Sequence, residues 1–195
     1  ENNYISKFGI CFQSTKKIKV NLSSKQKIIT FVGKLNSAKG YDIFGQSIIK
    51  ILDEFPDWKS IVVGDEPREK HIFKHKNLKI LGFQKHNVVS KYFKASDISV
   101  VCSRWNEPFG RTALEASSCG CAVIITNRGG LPEASPYAIK INKLNIRNLE
   151  SNISKIISNT KFKKNLQKKI YNNFKLTNEV IAKKIDQYRS KLIKS

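Results

Sequence analysis

At 195 residues, with 40% apolar and 26% charged side chains, the chain fits one globular domain with appendages and excludes a disordered polymer. No apolar run approaches the roughly 18–20 residues that cross a bilayer, and no basic, apolar, small-residue leader opens the sequence. The net charge of +21 invites a nucleic-acid partner, but only six of the 36 basic residues are Arg, the better side chain for bidentate phosphate contacts. Lys, Ile and Asn make up 72 of the 195 residues, so much of this charge reads as a compositional drift. What survives is a cationic surface suited to anionic membranes, glycolipids or nucleotides. Nucleic acid is disfavoured, and the expected location is cytoplasmic, with attachment at the inner face of the membrane as an option. The chain opens at Glu1 without a methionine, which reads as a fragment or a processed form.

Residues 1–24 read as a connector, with a candidate strand at 8–12, and residues 25–195 as one domain. An apolar run at 28–32 ends at Gly33 and predicts a buried strand. Apolar positions recur at helical spacing over 40–55, and Pro56 follows. Strands are expected at 60–63, stopped by Gly64, and at 78–81, stopped by Gly82. A short helix at 88–95 leads to a strand at 98–102. A helix at 109–119, a strand at 121–126 and a candidate strand at 137–141 follow. After Asn145 the chain turns helical and basic. Its last helix carries Leu176, Val180, Ile181, Ile185, Tyr188 and Leu192 on one stripe. Strands alternating with helices, without tight hairpins, predict an α/β fold: a Rossmann-like parallel sheet with helices on both faces. Ligands of such sheets bind beyond the carboxyl ends of the strands, where these glycines fall.

The most informative run is Glu107-Pro-Phe-Gly-Arg-Thr-Ala-Leu-Glu115. Pro108 suits the first helical position. The N–H groups of Phe109, Gly110, Arg111 and Thr112 then lack intrahelical acceptors and, with the helix dipole, invite an anion. The plainer alternative is an ordinary helix capped by Asn106 or Glu107. Eight residues of helix span about 12 Å, too far for the carboxylate pair of a retaining glycosidase. Two acids so placed can instead grip the two ends of an elongated ligand. The loop from Gly33 through Lys34 and Lys39 to Gly40 offers two ammonium groups at a strand end. It has no P-loop ending, and no GxGxxG run occurs in the chain. The absence of any Asp-x-Asp removes the common way of holding a divalent metal against a diphosphate. His71 and His75, at i, i+4, lack a third ligand and read as surface histidines, and His86 reads as a helix-start residue. The four cysteines form no CxxC pair and read as free thiols.

Together these residues resemble the donor-binding domain of family 4 retaining glycosyltransferases, one half of the two-domain GT-B architecture. The likeness covers about residues 28–195 and rests on Gly33-Lys34-Leu35 with Lys39-Gly40, then Val63-Gly64-Asp65, then Ala95-Ser96-Asp97-Ile98. Glu107-Pro-Phe-Gly with Glu115-Ala116, Gly120 with Val123, and Gly129-Gly130 with Glu133 complete it. The resemblance implies a UDP-, GDP- or ADP-sugar as donor substrate, with no cofactor and no metal. It implies that Lys39, and Lys34 where the family usually has arginine, contact the diphosphate, that Glu115 holds the ribose hydroxyls, and that Glu107 lies near the donor sugar. The backbone at Gly33, Phe109, Gly110, Arg111 and Thr112 would meet sugar and phosphate oxygens, and Gly82 with Phe83 would edge the nucleobase. It further implies an N-terminal acceptor domain outside this chain, onto which the closing helix would cross, and saccharide or lipid-linked acceptors of cell-envelope synthesis. Glu66 and Ala122 depart from the family's usual glycine and proline. Two other readings stay open: a cationic module for nucleic acid or anionic membrane, and a nucleotide-sugar epimerase or phosphorylase of the same fold.

Overall fold

The computed structural model describes residues 14–193, so the candidate strand at 8–12 and Cys11 lie outside the described residues. Six strands, β1 (Gln26–Val32), β2 (Lys59–Val63), β3 (Leu78–Ile80), β4 (Ser96–Val101), β5 (Ala122–Thr126) and β6 (Ile139–Ile141), form one sheet. All pair in parallel, in the order β3-β2-β1-β4-β5-β6. β4 and β5 are buried along their whole length, which explains their unbroken apolar and small-residue composition. Strand order reverses beside β1, since β2 lies on one side of it and β4 on the other. The carboxyl ends of β1 and β4 therefore splay around a crevice, the usual ligand position in such sheets.

Among the described residues there are seven α-helices: α1 (Tyr41–Glu54), α2 (His86–Ala95), α3 (Arg111–Ser118), α4 (Leu131–Ala134), which the sequence reading did not include, and α5 (Ile146–Ser158), α6 (Thr160–Asn172) and α7 (Asn178–Ile193) in the helical region after Asn145. α1 packs on α5 and α2 packs on α3, giving helical layers on both faces of the sheet. α1 meets the sheet through Phe44, Ile48, Ile51 and Leu52, all buried at helical spacing. α6 is fastened beneath β4 by a buried network. Lys163 Nζ donates to Asp97 Oδ2 at 2.5 Å, and Gln167 Nε2 donates to Asp97 Oδ1 at 2.9 Å. Lys163 also lies over the Trp58 ring.

Two sequence expectations change here. The helix expected at 109–119 begins at Arg111, because Gly110, at φ 99° and ψ 58°, is left-handed and cannot continue a right-handed helix. Pro108 is therefore not its first residue. β1 starts at Gln26 and β4 at Ser96, two residues earlier than the apolar runs suggest, since polar side chains at sheet ends still pair their backbone. Residues 14–24 lie against the domain: Thr15 N–H donates to Leu176 O at 3.1 Å, and Ile18 N–H donates to Ser118 O at 3.2 Å.

Candidate functional site

The loop after β1 carries Lys39 on a short 3-10 turn, Ser37–Lys39. Asn36 starts that turn, its Oδ1 accepting the Lys39 N–H at 3.0 Å. The loop after β4 is bolted to it. Ala38 O accepts the N–H of Arg104 at 2.8 Å and of Trp105 at 3.1 Å. The Arg104 guanidinium grips both Asp42 oxygens, at 2.6 and 2.7 Å, and also donates to Ser37 O. Burial works to raise the Asp42 carboxyl, but the hydrogen bond and charge of Arg104 outweigh it and hold the group below its ordinary range. Two loops distant in sequence thus form one rigid rim.

α3 opens onto this rim. No side chain caps it, so the plainer alternative, capping by Asn106 or Glu107, does not occur. Leu114 N–H makes the first bond of the helix, to Gly110 O at 3.1 Å. Among the described residues the N–H groups of Phe109, Gly110, Arg111, Thr112 and Ala113 find no acceptor. The loop leading to the helix is propped from behind by Gly129-Gly130. Gly130 N–H donates to Glu107 O at 2.7 Å. A β-carbon on Gly130 would lie 2.6 Å from Pro108 O and 2.5 Å from Phe109 Cα.

Between the rims lies a crevice of about 370 Å³. Gly33, Lys39, Glu107, Phe109, Gly110, Arg111 and Thr112 line it, so seven of the residues singled out in the sequence converge. Lys39 Nζ forms an ion pair with Glu107 Oε1 inside it. Lys34 is exposed, does not line the crevice, and has no ion-pair partner among the described residues. Glu115 lies farther along α3 and faces a separate small cleft shared with Thr15, Ile18 and His86. Its carboxylate lies 3.8 Å from His86 Nδ1 and 3.6 Å from Arg111 Nη2. Burial raises the Glu115 pKa, and the neighbouring His86 and Arg111 only partly oppose it. Gly82 borders a neighbouring cleft of about 390 Å³ with Gly64, Asp65 and Glu66. Phe83, beside it in sequence, is 76% exposed.

The histidine reading is corrected. Residues 71–75 are not helical, so the spacing of four places nothing on one face. Neither histidine is a free surface group. His71 Nε2 lies 2.7 Å from Glu69 Oε1, and His75 Nε2 lies 3.2 Å from Asp53 Oδ1. Glu69 Oε1 also accepts the Ser37 N–H at 2.8 Å, tying the loop after β2 to the Lys39 turn. Ser37 Oγ and Glu69 approach the same ring nitrogen, so this trio cannot relay a proton as a nucleophilic triad does. No periodicity in 64–77 could have revealed it. His86 is the first residue of α2. No cluster of three or more His, Cys, Asp or Glu able to hold a metal exists among the described residues. Cys102, Cys119 and Cys121 are free and buried, and burial pushes the Cys102 and Cys121 thiols up to about 12.

A six-stranded parallel sheet with helices on both faces defines a Rossmann-like α/β domain. The profile of the family described as glycosyl transferases group 1 matches residues 12–173, and the chain belongs to that family. It is 31% identical over 125 residues to the lipopolysaccharide core biosynthesis mannosyltransferase LpsB of Rhizobium meliloti, covering 58% of this chain and 35% of that protein. It resembles the crystal structure of the C-terminal domain of a glycosyl transferase group 1 family protein (LpcC) from Francisella tularensis. There the TM-score is 0.66 at 27% identity, with 74% of this chain and 82% of that one covered. Anabaena HepE, solved in complex with UDP-glucose, has the same fold, with a TM-score of 0.71 at 20% identity over 85% of this chain and 49% of that one. The matches span between 32% and 44% of the length of the first curated relatives.

Proposed function

We propose that this chain is the donor-binding half of a retaining hexosyltransferase and takes a UDP-, GDP- or ADP-sugar in the crevice between β1 and β4. One observation carries the reading: Lys39, Glu107 and the residues Phe109 to Thr112, whose N–H groups are unpaired, meet in a single crevice at the sheet's switch point. The helix mouth and Lys39 receive the diphosphate and stabilise the charge that develops on it as the glycosidic bond opens. Lys34, on a flexible stem at the same loop, reaches the outer phosphate. Glu107 takes the donor sugar within the crevice, and Glu115, in the separate cleft farther along α3, takes the ribose diol. Gly82 and Phe83 edge the nucleobase, for which an exposed aromatic ring supplies a stacking face.

The acceptor domain precedes this one in the whole protein, and α7 crosses to it. Val180, Leu192 and Ile193 are exposed on that helix, and such a crossing would cover them. The acceptor is a saccharide or lipid-linked saccharide of the cell envelope, met at the cytoplasmic face of the membrane. The likeness to a lipopolysaccharide-core enzyme supports this. Of the cationic alternatives, an anionic membrane fits better than nucleic acid. Phe174 is buried, Phe162 packs against the core, and the Tyr171 hydroxyl donates to Ile18 O at 2.9 Å, so these rings do not offer stacking faces.

Calorimetric titration with UDP, GDP, ADP and their sugars tests the proposal. Absence of binding by every nucleotide at millimolar concentration would end it. Product analysis of the full-length enzyme separates transfer from epimerisation or phosphorolysis.

A further inference from the structure

The ion pair inside the crevice has a consequence for which diphosphate it prefers, on the reading that the crevice holds a nucleotide diphosphate. Among the described residues Lys39 is the crevice's one ammonium, and its partner is a carboxylate with a side chain only 14% exposed. Arg111, the other cation on the rim, is 71% exposed at its side chain and turned toward Glu115. The formal charge contributed by Lys39 and Glu107 therefore sums to zero. Attraction for an anion comes from the unpaired N–H groups of Phe109, Gly110, Arg111 and Thr112 and from the helix dipole, working beside the Glu107 carboxylate.

A sugar diphosphate is a diester carrying two negative charges. Transfer breaks the bond between the anomeric carbon and the β-phosphate oxygen, and the electron pair stays on that oxygen. The acceptor oxygen forms the new bond to carbon and releases its proton to solvent. The nucleoside diphosphate left behind has a terminal phosphate that gains a further negative charge near neutral pH. That charge appears in the crevice that already holds the Glu107 carboxylate, where like charges are poorly screened.

We infer that Glu107 is a specificity-determining residue: by occupying Lys39 and repelling the extra charge, it sets the crevice to favour the intact sugar diphosphate over the free nucleoside diphosphate, and so helps expel the product.

The test is calorimetry on the whole chain with UDP and GDP as trianionic probes, and UDP-glucose and GDP-mannose as dianionic ones. Glu107→Gln keeps the side chain's shape and removes the charge. It is expected to tighten binding of the free nucleoside diphosphate by about tenfold, while the sugar diphosphate gains less or weakens. Lys39→Met is expected to weaken both. Thermal unfolding of each variant, and Glu107→Ala as a second removal of charge, guard against a misfolded protein. Tightening should shrink as salt is raised. If wild type binds and both Glu107 variants bind free diphosphate no more tightly, this inference is overturned while the donor-site reading stands. If neither wild type nor variants bind any nucleotide, both fall together.

Discussion

Gly130 touches no proposed ligand, yet its replacement by alanine should disable the diphosphate crevice. Its backbone sits at φ −81° and ψ 0°, which any residue adopts, so the substitution introduces no dihedral strain. The effect is crowding alone. The new methyl would stand 2.6 Å from Pro108 O and 2.5 Å from Phe109 Cα, both main-chain atoms that no rotamer change can remove. Restoring ordinary contact requires the Pro108–Phe109 segment to retreat by about 1 Å. That segment carries Phe109, which lines the crevice with an unpaired N–H, and the carbonyl of its neighbour Glu107 is held by the Gly130 N–H at 2.7 Å. Overpacking of this kind costs about 1–3 kcal/mol of stability. A misplacement of about 1 Å in a binding constellation can cost about a hundredfold in function. The expected result is a folded protein with a modestly lowered midpoint in urea and at least a tenfold loss of nucleotide affinity by calorimetry. Wild-type affinity in a folded Gly130→Ala protein would refute the claim that this glycine pair sets the position of the helix mouth.

Removing the rim clamp with Arg104→Met should lower nucleotide affinity several-fold while shifting the melting temperature little, because the ion pair with Asp42 is partly exposed and surface pairs contribute about 0–1 kcal/mol. Arg104→Lys restores charge without the bidentate fork and should recover only part of the affinity, read by the same titration. Asp97→Ala should destabilise the domain by about 3–5 kcal/mol in urea unfolding, since it leaves the Lys163 ammonium buried and unpaired. Glu115 has its pKa raised on folding, so the native state binds the extra proton and stability falls as pH rises from the ordinary carboxylate range through the raised value. Glu115→Gln should therefore melt above wild type at pH 7, with the difference vanishing below about pH 4. Glu115→Ala should weaken nucleotide binding by about 1–3 kcal/mol if the carboxylate holds the ribose.

The strands and most helices were legible because their signals are local. A run such as Ile-Val-Val ending at Gly64, or apolar residues at helical spacing in α1, records burial within a few positions of the chain. The same locality made Lys39, Glu107 and the glycine-rich helix entry stand out, since each sits where a strand ends. It failed at Gly110, where a proline before a helical pattern implied a start two residues too early.

By itself, then, the sequence determined a parallel α/β domain and the strand ends on which its candidate chemistry lies. Only the tertiary structure decided which of those groups meet. Lys39 and Glu107 are 68 positions apart and share a crevice, whereas Lys34, five positions from Lys39, is exposed and does not line it. Glu115 turns toward His86 and the residues 14–24 segment instead of the crevice. Lys163 with Phe162 and Tyr171 of α6 look like a basic, aromatic surface in one dimension, but in three Asp97 holds Lys163, Phe162 packs against the core, and Tyr171 bonds Ile18 O beneath Lys17. The physical reason is that periodicity reports only how much of a side chain is buried, while its partner is set by strand order and by which loops the sheet brings together.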